Sequence, residues 1–312
     1  MLTILDTYGR PVTQARISLN SSMQCNFSCD FCHMEGIKET SGNLIQPLEL
    51  ERLCRMFTSF DIFKIKLTGG EPLLRKDIEE IVERVNASGV KEISLSTNGT
   101  NLVRLASKLK KKGLKRVNIS LHTLNHERFK KLTGVDRLNE TIEAIKAAIK
   151  TEFLPVKINT TVMRGINDDE IEELIEFSRE LGGSDTNILQ LIELVTTESR
   201  FYYKYHFPMK SIENELKKKS ISSMERVSHK RPKYELPNKV IVEIVRPMHN
   251  TEFCMGCNRI RVTYDGKFKP CLLRGDNHID FLTAMRTGAD DADLADMFKK
   301  AISLREPFFK IE

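Results

Sequence analysis

Three cysteines, Cys25, Cys29 and Cys32, carry the most specific chemistry in the chain, because the spacing Cys-x3-Cys-x2-Cys puts three thiols on one short loop. A [4Fe-4S] cube takes four ligands, so three protein thiolates leave one iron for a ligand that is not protein. Zinc is the competing reading, but it asks for a fourth Cys or His at a familiar spacing, and His33, directly beside Cys32, is badly placed to close the same ring. A second triplet, Cys254-x2-Cys257-x13-Cys271, lies far downstream, again without a fourth cysteine. A zinc ribbon is the alternative there, with His249 and His278 as candidate completions. The remaining cysteine, Cys54, sits among Leu50, Leu53 and Phe57 at helical spacing and reads as a small buried thiol.

Other polar groups stand at strand ends. The stretch Phe63 to Leu67 runs into Thr68-Gly69-Gly70-Glu71-Pro72. Adjacent glycines allow close backbone approach to a ligand, and the carboxylate of Glu71 suits an ammonium group; a tight strand-to-helix turn is the plainer alternative. Ala15 to Leu19 alternates like a half-buried strand, so Arg16 points opposite to Ile17, into a cavity if the strand belongs to a barrel and to solvent otherwise. By the same period of two, Lys64 and Lys66 share a face, as do Arg259 and Arg261 on either side of Ile260.

The elements that must position these groups alternate. Helical periodicity over Leu48–Phe57, Asp77–Asn86, Leu102–Lys112 and Leu138–Lys150 is interleaved with strand patterns over Glu92–Thr97, Arg116–Leu121, Val156–Met163 and Ile188–Leu194. Asp168 is placed to cap a helix running to Leu181. Six β/α steps of this kind imply a parallel sheet with helices packed outside. Ligands bind such sheets at the carboxyl ends of the strands, where the first cysteine loop, Thr68 to Pro72, Ser96 to Asn98 and Ser120 to His122 all fall. The rhythm breaks after residue 195, which divides the chain into residues 1–195 and 196–312. Residues 196–238 read as a connection with a helix at Ser211–Lys219, and a strand resumes at Val240–Val245. Asp265-Gly266 marks a hairpin that returns Cys271 to the Cys254/Cys257 pair.

At 312 residues, 40% hydrophobic and 29% charged, the chain is long enough for a full core and has the balance of a soluble globular protein. Its apolar runs are too short for a membrane span, and no signal-peptide core opens it. A cytoplasmic location follows, where thiols stay reduced and clustered cysteines mean metal or redox chemistry. The net charge of +6 favours anionic partners. Nucleic acid is not the expected one: the basic run Lys108 to Lys115 continues a helical apolar stripe, so its lysines form a solvated face, and it lacks interleaved aromatics.

Cys25-x3-Cys29-x2-Cys32, with Phe31 before the last cysteine, and Gly69-Gly70-Glu71-Pro72 together resemble the radical S-adenosylmethionine superfamily. Cys254-x2-Cys257-Asn258-Arg259-Ile260-Arg261, Asp265-Gly266-Lys267, Cys271-Leu272 and the opening Gly9-Arg10-Pro11 narrow the resemblance to the GTP 3',8-cyclase family of molybdenum cofactor biosynthesis. The resemblance implies an incomplete, TIM-like β/α barrel of about six parallel strands with helices outside and a small C-terminal extension carrying a second cluster. It implies two [4Fe-4S] clusters, one opening S-adenosylmethionine to a carbon radical and one holding guanine, and the cyclisation of GTP to 3',8-cyclo-7,8-dihydro-GTP. Cys25, Cys29 and Cys32 would bind the first cluster and Cys254, Cys257 and Cys271 the second. Gly70, Glu71, Ser120 and Phe31 would meet S-adenosylmethionine, and Arg16, Lys66, Ser96, Lys157, Arg259, Ile260 and Arg261 would meet GTP. Further partners so implied are an electron donor, a second copy of the chain and a downstream cyclic pyranopterin monophosphate synthase. Departures from the usual pattern are Lys66 for an arginine, Gln190 for a basic residue, His122 for an Asp, and an end at Glu312 without Gly-Gly. The rival readings are a two-cluster radical enzyme that modifies a peptide, and a non-catalytic iron-sulfur or zinc module that binds nucleic acid.

Overall fold

The computed structural model describes residues 3–37 and 43–307, so the C-terminal residues 308–312 lie outside what is described. In chain order the elements are β1 (Gln14–Ser18), α1 (Pro47–Ser59), β2 (Lys64–Thr68), α2 (Ile78–Ala87), β3 (Glu92–Thr97), α3 (Leu102–Lys112), β4 (Arg116–Ser120), α4 (His126–Thr133), α5 (Leu138–Lys150), β5 (Val156–Val162), α6 (Ile171–Glu180) and β6 (Asn187–Glu193). There follow α7 (Ser199–Tyr205), α8 (Met209–Lys219), β7 (Ser222–Arg226), β8 (Arg231–Glu235), β9 (Ile241–Val245), α9 (Thr251–Met255), β10 (Arg259–Val262), β11 (Lys267–Lys269), β12 (Ile279–Asp280), α10 (Phe281–Arg286) and α11 (Asp291–Ser303).

Among the described residues, twelve strands form one sheet in the order β12-β11-β10-β1-β2-β3-β4-β5-β6-β9-β8-β7. From β10 to β9 the eight neighbouring strands run parallel. The expected six are therefore two short, because β9 and β10, from the C-terminal half, extend the parallel run at both edges. The tip of the β7–β8 hairpin then reaches across: His229 N–H donates to Gly256 C=O at 2.8 Å, and Ser228 Oγ lies 2.9 Å from Asn258 Oδ1, just ahead of β10. One end of the sheet thus touches the other. Residues 196–238 are not a mere connection, since they hold α7, α8 and this hairpin; their polar, weakly periodic sequence hid the hairpin, whose edge strand β7 is exposed along most of its length.

Strand alternation sorts the side chains. In β5, Val156, Ile158, Thr160 and Val162 are buried against the helices, whereas Lys157, Asn159 and Thr161 take the opposite face. Helix α3 buries Leu102, Leu105, Ala106 and Leu109 and leaves its lysines outside, where Lys108 pairs with Glu79 and Lys112 with Glu83. Asp168 does not cap α6; its carboxylate accepts the Gly165 N–H at 2.7 Å and α6 begins later, at Ile171.

The C-terminal half is welded to the first helix by aromatic rings. Phe268 of β11, wholly buried, lies 6.3 Å from Phe57 of α1, 4.4 Å from Phe281 and 5.4 Å from Phe298 of α11. Truncating such a phenylalanine costs about 3–5 kcal/mol. Phe268→Ala should therefore lower the free energy of the whole unfolding transition by that amount, read from the denaturant midpoint, whereas a change under about 1 kcal/mol would mean that the two halves unfold separately.

Candidate active site

The first cysteine loop leaves β1 and lies against the turn after β2. Gly70 N–H donates to Asn20 C=O at 3.2 Å, Glu71 N–H to Gln24 C=O at 2.9 Å, and Asn20 Nδ2 to Glu71 C=O at 2.8 Å. The glycines serve this contact. A Cβ on Gly70 would stand 2.3 Å from Ser21 O and 2.5 Å from Gln24 O, and one on Gly69, at φ +133°, would meet Asn20 backbone at 2.8 Å. The close approach expected at Gly70 is thus to the backbone that carries Cys25. Glu71 is turned inward as well: 1% exposed, it accepts Leu73 N–H, Thr97 O–H and Asn98 N–H, and burial pushes its carboxyl up to about 7. Its carboxylate joins β2, β3 and the turn between them, and does not reach outward to an ammonium group.

Around the thiols, Phe27 N–H points at Cys25 Sγ and Met34 N–H at Cys32 Sγ, both at 3.4 Å. Burial, then the neighbouring cysteines, pushes the Cys29 thiol up to about 12, and burial also raises Cys25 and Cys32. A cation bound by all three would reverse that order, since metal coordination deprotonates a thiol. Among the described residues no three Cys, His, Asp or Glu side chains converge closely enough for one metal ion. A [4Fe-4S] cube gives each thiolate its own iron and so spreads its ligands more widely than a single zinc ion would. Phe31 packs edge-on against His122 at 4.7 Å, and burial lowers that imidazole to about 4. Ser120 ends β4, level with Asn159.

The second triplet faces the first. β10 and β11 form the expected hairpin, with Gly266 at φ +83°. Gly36, just past the first loop, packs so closely on the Leu272 carbonyl that a Cβ would fall 1.8 Å from it, and Lys269 Nζ donates to Gly36 C=O at 3.1 Å. His278 Nε2 lies 3.1 Å from that same ammonium, and His249 packs edge-on to Tyr202. A buried ionic group unnoticed in the sequence holds the triplet from behind. Asp6 pairs with Arg10 at 2.8 Å and Arg305 at 3.1 Å; Arg10 donates to Cys254 C=O and Arg305 to Cys257 C=O. Burial alone would raise Cys257, but the Arg305 and Arg259 guanidiniums and the Arg259 N–H outweigh it and lower the thiol. The distance of Arg305 from Asp6 and Arg10 in sequence concealed this group.

Between the loops the barrel face is cationic. Arg16 stands level with Lys66 on β2 and Arg261 on β10, and Asn118 level with both Ser96 and Lys157. Arg259 and Arg261 share the inward face, whereas the Ile260 side chain is wholly buried in the apolar core behind them, so any role for Ile260 toward a ligand is left to its backbone. Two carboxylates meet this charge. Glu35 binds Arg16 at 2.6 Å, Arg261 at 2.7 Å and Thr68 at 3.0 Å; burial opposes its charge, but Arg16 and Arg261 hold it well below the carboxylate range. Glu243 binds Lys157 at 2.9 Å and Arg226 and Arg231 at 3.0 Å each. Burial first, then Arg16, Arg259, Lys157 and Arg231, drives the Lys66 ammonium well below its usual range. Arg16 Nε, Asn159 Oδ1 and Gln190 Nε2 are buried here with no hydrogen-bond partner.

The contacts of Gly70 generate a test. Gly70→Val should cost the first loop its iron, because the new side chain would displace the backbone around Cys25. Iron analysis after anaerobic reconstitution reads this; full iron with S-adenosylmethionine binding lost would instead put the glycine against the ligand.

Comparison with known proteins agrees with this geometry. Residues 19–178 match the Radical SAM superfamily and residues 187–311 match Molybdenum Cofactor Synthesis C. A "Probable GTP 3',8-cyclase" of Thermococcus kodakarensis is 48% identical over 98% of this chain and 100% of its own length. Proteins of the same name from Pyrococcus abyssi (48% identity, 98% of this chain and 99% of that one) and Methanocaldococcus jannaschii (42%, 98% and 99%) match as fully. Among solved structures, anSMEcpe with bound AdoMet superposes with a TM-score of 0.63 at 18% identity, covering 85% of this chain and 76% of that one. Streptococcus suis SuiB bound to precursor peptide SuiA gives 0.63 at 16%, covering 85% and 61%. At such identities the peptide-bound structure shares the fold alone. The full-length matches, the paired cysteine loops and the cationic barrel agree: the chain belongs to the GTP 3',8-cyclase family of the radical S-adenosylmethionine superfamily.

Proposed function

We propose that this chain cyclises GTP to 3',8-cyclo-7,8-dihydro-GTP by S-adenosylmethionine-dependent radical chemistry, the entry step of molybdenum cofactor biosynthesis. The observation that carries the reading is the pair of three-cysteine loops, joined through Gly36 and Leu272, on a barrel face lined by Arg16, Lys66, Lys157, Arg259 and Arg261. The donor sets suit one [4Fe-4S] cluster each, held by Cys25, Cys29 and Cys32 and by Cys254, Cys257 and Cys271. When bound and reduced, the first would supply the one-electron cleavage of S-adenosylmethionine that yields a hydrogen-abstracting carbon radical.

The residues of the chain have separate duties. Ser120 and Phe31 line the end of β4 where S-adenosylmethionine would lie, with the Gly69–Pro72 turn bracing the loop beneath it. Arg16, Lys66, Ser96, Lys157, Arg259 and Arg261 would bind the substrate's phosphates and sugar. A triphosphate carries about four negative charges, and guanidinium forks with an ammonium point charge hold them well. Fixing the ribose within reach of the radical is the main contribution, since orientation of this kind can supply about 7–11 kcal/mol of a barrier. The barrel wall also keeps water from a reactive intermediate. We place the enzyme in the cytoplasm as a dimer, fed by an electron donor and followed by a cyclic pyranopterin monophosphate synthase; among the described residues no helix is long and apolar enough to cross a membrane.

Two cysteine variants separate the loops. Cys29→Ala should abolish all S-adenosylmethionine cleavage, with or without GTP. Cys271→Ala should still cleave it slowly and unproductively but form no cyclised nucleotide. Parallel anaerobic assays of 5'-deoxyadenosine and cyclised product read both, and near-native cyclisation by Cys271→Ala would make the second triplet structural only.

The pH dependence of binding gives an independent check. Burial, reinforced by Arg226 and Arg231 and opposed by Glu243, lowers Lys157 to about 7. An anion prefers the protonated ammonium, and that form is lost from the free protein as pH rises through about 7. GTP affinity should therefore fall above neutrality, with proton uptake on binding in calorimetry across buffers, and Lys157→Met should abolish that uptake. Binding without proton uptake at pH 8 would remove Lys157 from the site.

A further inference from the structure

The cyclase reading leaves the far wall of the barrel unexplained. On β6 the Gln190 side chain is buried, and its amide nitrogen finds no acceptor. Gln190 stands level with Asn159 of β5 on one side and Glu243 of β9 on the other, and Glu243 stands level with Lys233 of β8. Glu243 is wholly buried, and its two oxygens gather Lys157, Arg226 and Arg231. Arg226 and Arg231 are directly paired across the β7–β8 hairpin. The hairpin thus brings two guanidiniums to a wall that Gln190 leaves uncharged.

Glu243 accepts a hydrogen bond from Arg226 Nη1 at 3.0 Å but leaves Arg231 unsatisfied. One carboxylate faces three cations, and Arg231 Nε, 3.0 Å from Glu243 Oε1, is misaligned for a hydrogen bond and stays a buried donor without an acceptor. Charge counting points the same way. Arg16, Lys66, Lys157, Arg259 and Arg261 less Glu35 and Glu243 leave a surplus of three positive charges, and adding Arg226 and Arg231 makes it five. A surplus of three falls short of neutralising a triphosphate with about four negative charges, whereas a surplus of five suffices. The influence of Arg231 on both Lys66 and Arg259 shows that its charge is felt in the same chamber.

We propose that Arg226 and Arg231 bind the triphosphate of the substrate, taking over from the hairpin the contact that Gln190 cannot make from the strand. This rests on the cyclase reading, and the test keeps the two apart. Anaerobic calorimetry of the cluster-loaded protein compares GTP with guanosine for wild type, Arg231→Met, Arg231→Lys and Arg226→Met. Wild type should bind GTP far more tightly than guanosine. Each methionine variant should lose about ten-fold or more in GTP affinity, the value of one charge-assisted contact, with guanosine affinity unchanged, and the lysine variant should recover part of the loss. Arg226 is a third exposed, so its replacement tests the idea even if Arg231→Met fails to fold. Unchanged GTP affinity in Arg226→Met, or equal loss for GTP and guanosine, overturns the proposal while leaving the cyclase reading standing. A wild type that binds GTP no better than guanosine overturns both.

Discussion

Like charge crowded inside a barrel is the constraint on which the rest of this structure depends. Two cations 4 Å apart repel by about 4 kcal/mol at the effective dielectric of a protein surface, and more where water is excluded. Seven of them share one chamber here, met by Glu35 and Glu243. Such an interior holds only if its scaffold is stiff, and the outer strand faces supply that stiffness: Ala15, Ile17, Ile65, Leu67, Ile93, Leu95, Val117, Ile119, Val156 and Ile158 are almost wholly buried under the helices. The repulsion left over is relieved by a bound polyanion, so much of the binding energy is installed when the chain folds.

The two carboxylates divide the work. Glu35, in a left-handed conformation at φ +51°, hangs from the first cysteine loop and reaches Arg16 and Arg261 on adjacent strands. It fixes the spacing between the first cysteine loop and strands β1 and β10. Glu243 closes the other side of the chamber. Behind the second triplet, Asp6, Arg10 and Arg305 form a smaller buried network that holds the Cys254 and Cys257 carbonyls. Removing one member of such a network costs about 3–5 kcal/mol, because the remaining charges stay buried and unpaired.

Much of this was legible in the sequence, and the failures have physical causes. Strand and helix periods located β3, α3 and α5 to the residue, the two helices because each buries one face only. The cysteine spacings and the Asp265-Gly266 turn announced both loops. What stayed hidden was tertiary. Gly70 looked like a ligand contact because a close approach does not reveal what approaches, and Glu71 looked outward because the donors Thr97 and Asn98 belong to the next strand. The β7–β8 hairpin has no apolar alternation, β7 being exposed along most of its length, so nothing in the sequence singled out Arg226 and Arg231.

The central claim is that the barrel holds the GTP ribose at the radical formed beside Cys25, Cys29 and Cys32. Incubating the reduced, cluster-loaded enzyme anaerobically with S-adenosylmethionine and GTP deuterated at the ribose 3' carbon tests it most directly, by mass analysis of the 5'-deoxyadenosine and the nucleotide. The account predicts deuterium in 5'-deoxyadenosine together with a cyclised nucleotide that has lost that label. Unlabelled 5'-deoxyadenosine beside unchanged, fully deuterated GTP would contradict it.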